Sequence, residues 1–468
     1  MLFRSMAAIW AFGEIKEKAE KAIPHLIETL KSTDRELRLG AAYSLWNIGE
    51  KAIPQMIQAL KTPNLTVRQT IAEAIREIGE KAVPYIIQAL KDSDRDMRES
   101  AAFALGEIGD KAMPHLTQAL KDNDMGLRLG AAITLVKIGE KTVPHLIQTL
   151  KDPDKDVRMA AAISLVKIGE KSIPHLIQAL KESDSYVRVA AIYALGEIKE
   201  KAAEALPILL DFVKNGDREV RLTAAAALVK IGEIAVPYLI EGAAEKDKEV
   251  RLLIAGALGS IGPKAHKALP CLMGLLKDPE KSIRIMAKEA LVKIGGQAVK
   301  FLTHSLSDEE RDVRLACVLA LGEIGHNAGD AVPHLVALLK DTDREIRIMA
   351  SLVLSKIGEK SIPYLAQVIE ESQGNMRRLA IDALGSMGEI AYRSSPCIIK
   401  ALKDQDRDVR FAALHAIMKI GGKSVPYLIE SLTEDDPELN KATTFVLGNM
   451  GEKAAEAIPF ILEVLRKQ

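Results

Sequence analysis

Nine histidines and three cysteines are the side chains of this 468-residue sequence best suited to hold a metal or attack a substrate. Five of the histidines, His25, His115, His145, His175 and His334, each directly follow a proline. Tyr85, Tyr238, Cys271, Tyr364 and Tyr427 follow a proline in the same way, so these histidines fill a recurring slot. Single histidines about one period apart are a weak metal signal, because a site needs several ligands converging on one point. His266 and His326 fall in links and read as solvated loop residues. Cys271, Cys317 and Cys397 lie far apart, form no CxxC pair and have no activating base close in sequence. That argues against a disulfide framework or a thiolate nucleophile, and for a reducing, cytoplasmic setting. No GxxxxGK[ST] phosphate loop, no GxGxxG after a strand and no GxSxG elbow occurs. The expectation is a protein that is not an enzyme and takes no cofactor or metal.

One basic series is harder to dismiss. Arg38, Arg68, Arg98, Arg128, Arg158, Arg188, Arg221, Arg251, Arg284, Arg314, Arg347, Arg377 and Arg410 recur at one slot, and Asn440 ends the row. An evenly spaced row of arginines suits phosphate tracking. An acid four residues earlier in most repeats, as Asp94 precedes Arg98, favours a structural ladder of ion pairs within and between repeats. Such a ladder fixes stacking register more than it adds stability. Lys and Arg total 64 and Asp and Glu total 64, a net charge of zero. That removes the broad basic footprint of a nucleic-acid binder and any strong pull to anionic membranes. No apolar run is long enough to span a bilayer.

The elements that position these residues are repeats. Proline recurs from Pro24 to Pro174 in steps of 30, then in steps alternating 33 and 30 as far as Pro459, with Lys300 in the one slot without it. The unit KAIPHLIETLKSTDRELRLGAAYSLWNIGE, Lys21 to Glu50, predicts two helices. The first, here the A helix, has Pro24 near its start, where a missing N–H costs little. The second, the B helix, has Asp34 as N-cap and Gly49 as a left-handed closing residue. Leu37, Ala41, Leu45 and Ile48 share one face of it. Positions three, seven and ten after the slot arginine point to the core, and positions one, two, five, six and nine point largely away. Apolar residues make up 48% of the chain and aromatics only 4%, which suits closely spaced helices with a core of Ala, Leu and Ile.

The expected fold is therefore all-α, with no β-strands: a right-handed α-solenoid of about thirty helices, one continuous array over residues 1–468. Residues 1–174 form uniform 30-residue repeats and residues 175–468 alternating 33/30-residue repeats. Gly196, Gly259, Gly322, Gly385 and Gly448 precede the longer links and allow a longer link or a neighbouring helix to approach closely. The extra residues either change the superhelix near residues 175–207 or only lengthen the next helix's first turn. The N-terminal MLFRSMAAIWAFGEIKEK matches Ala190 onward and is read as structure, not as a signal peptide. It is a B helix without its A helix, and ILEVLRKQ is an A helix without its B helix. The ends are thus expected to be a fragment's edges, or to be covered by another protein or by end-to-end contacts.

The DxDxxVR turn, AAxAL core and IGxxAxP link resemble HEAT repeats (armadillo-like), and are most similar to the HEAT-like repeats of the phycobilisome-lyase type. That resemblance implies that B helices line a concave face. Candidate partner-binding residues there are Leu39, Tyr43, Phe103, Ile133, Met159, Ile163, Tyr193, Leu315, Leu319, Ile348, Leu352, Phe411, His415 and Phe445. Apolar positions rimmed by Glu or Lys suit a protein or peptide partner, and the implied function is a non-catalytic scaffold. Other uses of the fold are a phycobilin-lyase-like or chaperone role, a deoxyhypusine-hydroxylase-like oxidoreductase, and nucleic-acid binding. The hydroxylase's di-iron site uses His-Glu dipeptides, and this sequence has none. Nucleic-acid binding needs a basic concave face, which the mixed Glu and Lys positions do not supply.

Overall fold

A computed structural model describes residues 2–62, 64–92 and 94–466. Among these residues there are thirty α-helices, linked by 3-10 segments and tight turns, and no strand. The chain packs as two compact units, Met1–Ala235 and Val236–Gln468. Within each unit the B helices pack on their own A helices and on consecutive B helices, an α-solenoid stack. The repeat period changes near residue 174, well before the boundary between the units.

One repeat shows why the chain folds this way. The A helix Ile23–Thr29 opens with Pro24 in its first turn. The B helix Arg35–Ile48 begins at Asp34, whose carboxylate accepts the backbone N–H groups of Glu36 and Leu37 at 2.8 and 3.3 Å. Ile23, Leu26, Leu30, Ala41, Leu45 and Ile48 are buried between them. Burying each large side chain contributes about 1.5–3 kcal/mol. The helix stops at Gly49, where φ is 78° and ψ is −139°. This is not the left-handed helical cap expected from sequence. It is the extended positive-φ region open essentially to glycine, and it sends the chain straight into the 3-10 link Gly49–Ala52. Lys199 takes the same role with φ 63° and ψ −140°.

The extra residues of the longer repeats lie in the link, not in the first turn of the following A helix. Short links such as Gly79–Ala82 have four residues, whereas Lys199–Ala205, Gly262–Ala268 and Gly325–Ala331 have seven. Each of those three is kinked at a buried alanine: Ala202, Ala265 and Ala328. Four of the five glycines before the long links meet the next B helix, whereas Gly448 has nothing within 4 Å. A Cβ at Gly196 would lie 2.8 Å from the Ala227 Cα, and one at Gly259 2.9 Å from the Ala290 Cα. One at Gly322 would lie 2.6 Å from Val353 Cγ2.

Positions two and six after the slot arginine depart from the sequence reading. Gly40, Ser44, Thr70, Ala74, Gly130 and Thr134 are buried. They are small because they form the seam between consecutive B helices. The Ser44 hydroxyl, for example, donates to the carbonyls of Ile9 at 2.6 Å and Gly40 at 2.9 Å.

Candidate functional site

The outward row of the B helices is left to positions one, five and nine. None of the fourteen candidate residues is buried. Leu39, Phe103, Ile133, Met159, Ile163, Leu319, Leu352, Phe411, His415 and Phe445 are exposed, and Tyr43, Tyr193, Leu315 and Ile348 are half-buried.

In the first unit Tyr43 sits in an aromatic cluster. Its ring centroid is 4.8 Å from that of Trp10 on the preceding B helix and 5.6 Å from that of Trp46. Neither tryptophan was among the candidates. The signal was present for Trp10, which aligns with Tyr193 when Ala7–Pro24 is set against Ala190–Pro207. Phe103 lines a shallow groove of about 170 Å³ with Leu65, Gln69 and Lys137. Tyr193 carries the Lys230 ammonium 5.1 Å from its ring centroid. Phe103 and Tyr193 are separated by two intervening B helices and do not form one pocket.

In the second unit Phe411 of the B helix Arg407–Ile420 and Phe445 of the B helix Pro437–Met450 share one crevice of about 240 Å³. The Arg407 guanidinium stands 5.2 Å from the Phe411 ring centroid. One helix earlier, Asp382 is paired to Arg378 at 2.8 Å. Burial pushes the Asp382 carboxyl up, with Arg378, Lys419 and His415 opposing.

The ion pairs along the row run between neighbours. Arg76 bridges Glu77 at 2.8 Å and Glu107 at 3.3 Å, and Lys288 pairs with Glu323. The rim charges of the first and later repeats thus partly neutralise one another across seams.

The slot arginines do something other than pair with the acid four residues before them. That acid caps its own helix: the Asp154 carboxylate accepts the Asp156 N–H at 2.8 Å. The arginine instead clamps the turn, as Arg158 donates to the carbonyls of Asp152 and Pro153 at 2.8 and 2.9 Å. Arg38, Arg128, Arg284, Arg347 and Arg410 make the same pair of bonds to their own turns. Arg68 and Arg98 bind the turn carbonyls of Thr62 and Asp92, and Arg221 those of Gly216 and Lys214.

Inter-repeat pairing by this slot is closest at the glycine seams of the second unit, and Arg284 approaches Asp312 at 3.6 Å outside them. Arg251 reaches Asp278 at 2.7 Å, Arg314 reaches Asp341 at 2.9 Å, and Arg377 reaches Asp404. Arg188 approaches Asp217 at 3.6 Å across the Gly196 seam of the first unit. Across other seams a lysine at the end of the A helix takes over. Lys61–Asp92, Lys91–Asp122, Lys121–Asp152 and Lys277–Asp308 are 3.1, 3.3, 2.7 and 2.8 Å long. The sequence reading missed this lysine series, although its residues recur with the period of the repeat.

Among the described residues no three His, Cys, Asp or Glu side chains are placed to hold a metal ion, and no helix is long and apolar enough to cross a membrane. His115 and His145 each have a buried Nδ1 without a hydrogen-bond partner, and they stand on separate A helices. The Cys317 and Cys397 thiols are pushed up by burial to about 12 and about 11, far from a reactive thiolate.

Helix pairs stacked through small-residue seams, with an accessible row along the B helices, define an all-α helical-repeat protein. The sequence profile described as HEAT repeats matches residues 23–86, 83–166, 113–182, 173–247, 236–316, 299–385 and 362–448. The chain belongs to the HEAT-repeat family. No curated protein sequence matches it. Among solved structures it is similar to importin beta, with 13% identity, 96% of this chain and 76% of that chain covered, and a TM-score of 0.35. It is also similar to Kap121p bound to RanGTP, with 15% identity, 95% and 58% coverage and a TM-score of 0.40.

Proposed function

We propose that this protein is a non-catalytic scaffold that docks a protein or peptide partner on the row presented by its B helices, the face that the family resemblance makes concave. The observation that carries this reading is the accessibility of large apolar side chains at positions one and five. Leu39, Phe103, Ile133 and Phe411 are 43%, 38%, 46% and 48% exposed, although each repeat has core slots that bury such residues. Aromatic and large aliphatic side chains left in contact with water at repeated positions supply the anchors of a protein interface. Partner docking by the row needs no bound ion or pigment. A cytoplasmic setting accords with three free cysteines.

The test is a pull-down followed by mass spectrometry, using the double variant Phe103→Asp, Tyr193→Asp. Its far-UV circular dichroism should match that of the parent protein, and capture of the natural partner should be lost. Undiminished capture would overturn the proposal.

A further inference from the structure

The crevice between the B helices Arg407–Ile420 and Pro437–Met450 sets cationic side chains beside an apolar floor. Leu402, Leu414 and Val446 form the floor, and Phe411 and Phe445 form the walls. The two phenylalanines are 48% and 61% exposed.

Arg407 is in contact with the Phe411 ring and has no carboxylate within ion-pair range among the described residues, and Lys441 likewise has none. The nearby acids Asp408 and Glu438 lie in the first turns of their own helices, where they complement the helix N-termini. Arg410 is engaged with the turn carbonyls of Asp404 and Gln405. His415 and Lys419, on the same helix, face Asp382 across the next seam. The charged side chains that line the crevice itself, Arg407 and Arg410, are both basic.

We propose that this crevice binds an acidic, amphipathic segment of a partner protein, with one bulky apolar side chain between Phe411 and Phe445 and a neighbouring carboxylate on Arg407. A guanidinium already lying on an aromatic face is pre-positioned for a carboxylate and loses little freedom on pairing. Charge complementarity selects acidic over basic segments, and the apolar slot anchors the complex. This inference rests on the reading of the B-helix row as a docking face.

The full chain is titrated against a fluorescein-labelled helical peptide carrying leucine at every third and fourth position and glutamate elsewhere, and against a twin with lysine for glutamate. The acidic peptide should bind and the lysine twin should not. Arg407→Glu and Phe445→Ser should each weaken the acidic peptide by about tenfold or more, with unchanged circular dichroism. Equal binding of the twins, or unaltered binding by Arg407→Glu, would overturn the assignment. So would Arg407-dependent retention on phosphatidylcholine–phosphatidylserine vesicles without peptide binding. If the crevice fails while the Phe103, Tyr193 double variant still loses its partner, only this inference falls. If both fail, the docking face itself is wrong.

Discussion

Gly385 lies against Ala416 so closely that a side-chain carbon at 385 would stand 2.7 Å from the Ala416 Cα and 2.8 Å from its Cβ. The helices Gly374–Met387 and Arg407–Ile420 touch there backbone to backbone. Gly385→Ala should force them apart and destabilise the second unit by about 1–3 kcal/mol. Gly448→Ala, in open space, should instead stabilise its helix by about 0.5–1 kcal/mol, because alanine loses less backbone freedom. Hydrogen exchange on residues 374–420 and 437–450 reads the two effects separately. Protection lost in neither segment for Gly385→Ala would contradict the close packing.

Lys199 has a backbone conformation that thirteen glycines adopt at the equivalent helix ends, with φ 63° and ψ −140°. A side chain there costs about 1–3 kcal/mol. Lys199→Gly should raise the denaturation midpoint of the first unit, even though it removes a charged surface residue. An unchanged or lowered midpoint would mean that the side chain compensates for its own strain.

Arg251 and Asp278 form a part-buried pair across a glycine seam. Burial pushes the Asp278 carboxyl up, but the Arg251 guanidinium and the Glu280 N–H outweigh it and hold the group below the usual carboxylate range. The pair's contribution is therefore present above the unfolded-state value of about 4 and is lost as pH falls below it. Asp278→Asn should lower thermal stability at pH 7 yet flatten its fall between about pH 4 and pH 2. Parallel melting curves for parent and variant across that range would contradict the assignment.

Arg158 and Lys121 test the two ladders against each other. Arg158 supplies charged hydrogen bonds to two turn carbonyls, so Arg158→Ala should cost about 2 kcal/mol. Lys121 reaches Asp152 from a side chain that is 44% exposed, so Lys121→Ala should cost no more than about 1 kcal/mol. Urea denaturation of both variants at low and high salt separates them, with only the second effect shrinking on screening.

The helices were legible because each carries its own punctuation. Pro24 marks an A-helix start, and Asp34 and Gly49 bracket the B helix. The core face at Ala41, Leu45 and Ile48 followed from helical spacing alone. What was not legible depended on neighbours. Gly40 and Ser44 look outward on a single helical wheel, and only the adjacent B helix buries them. The partner of Arg251 lies 27 residues on, in another repeat's turn, whereas its nearest acid is occupied in capping. Phe411 and Phe445 could each be read as exposed, but not that they face one another across one crevice. Periodicity reveals what every repeat shares and hides what alternates between repeats.

That alternation gives the second unit a mechanical grain. Arg251, Arg314 and Arg377 are spaced at 63 residues, and each spans a seam of close backbone contact, at Gly259, Gly322 and Gly385. The seams crossed by Lys277 and Lys403 are bridged by lysine pairs instead, Lys277–Asp308 with Lys288–Glu323 at one and Lys403–Asp436 at the other. Pulled from its ends, such a stack should give way first at these lysine joints and shed the four repeats between them as one block. That block would release about 400 Å of extended chain, at ~3.3 Å per residue.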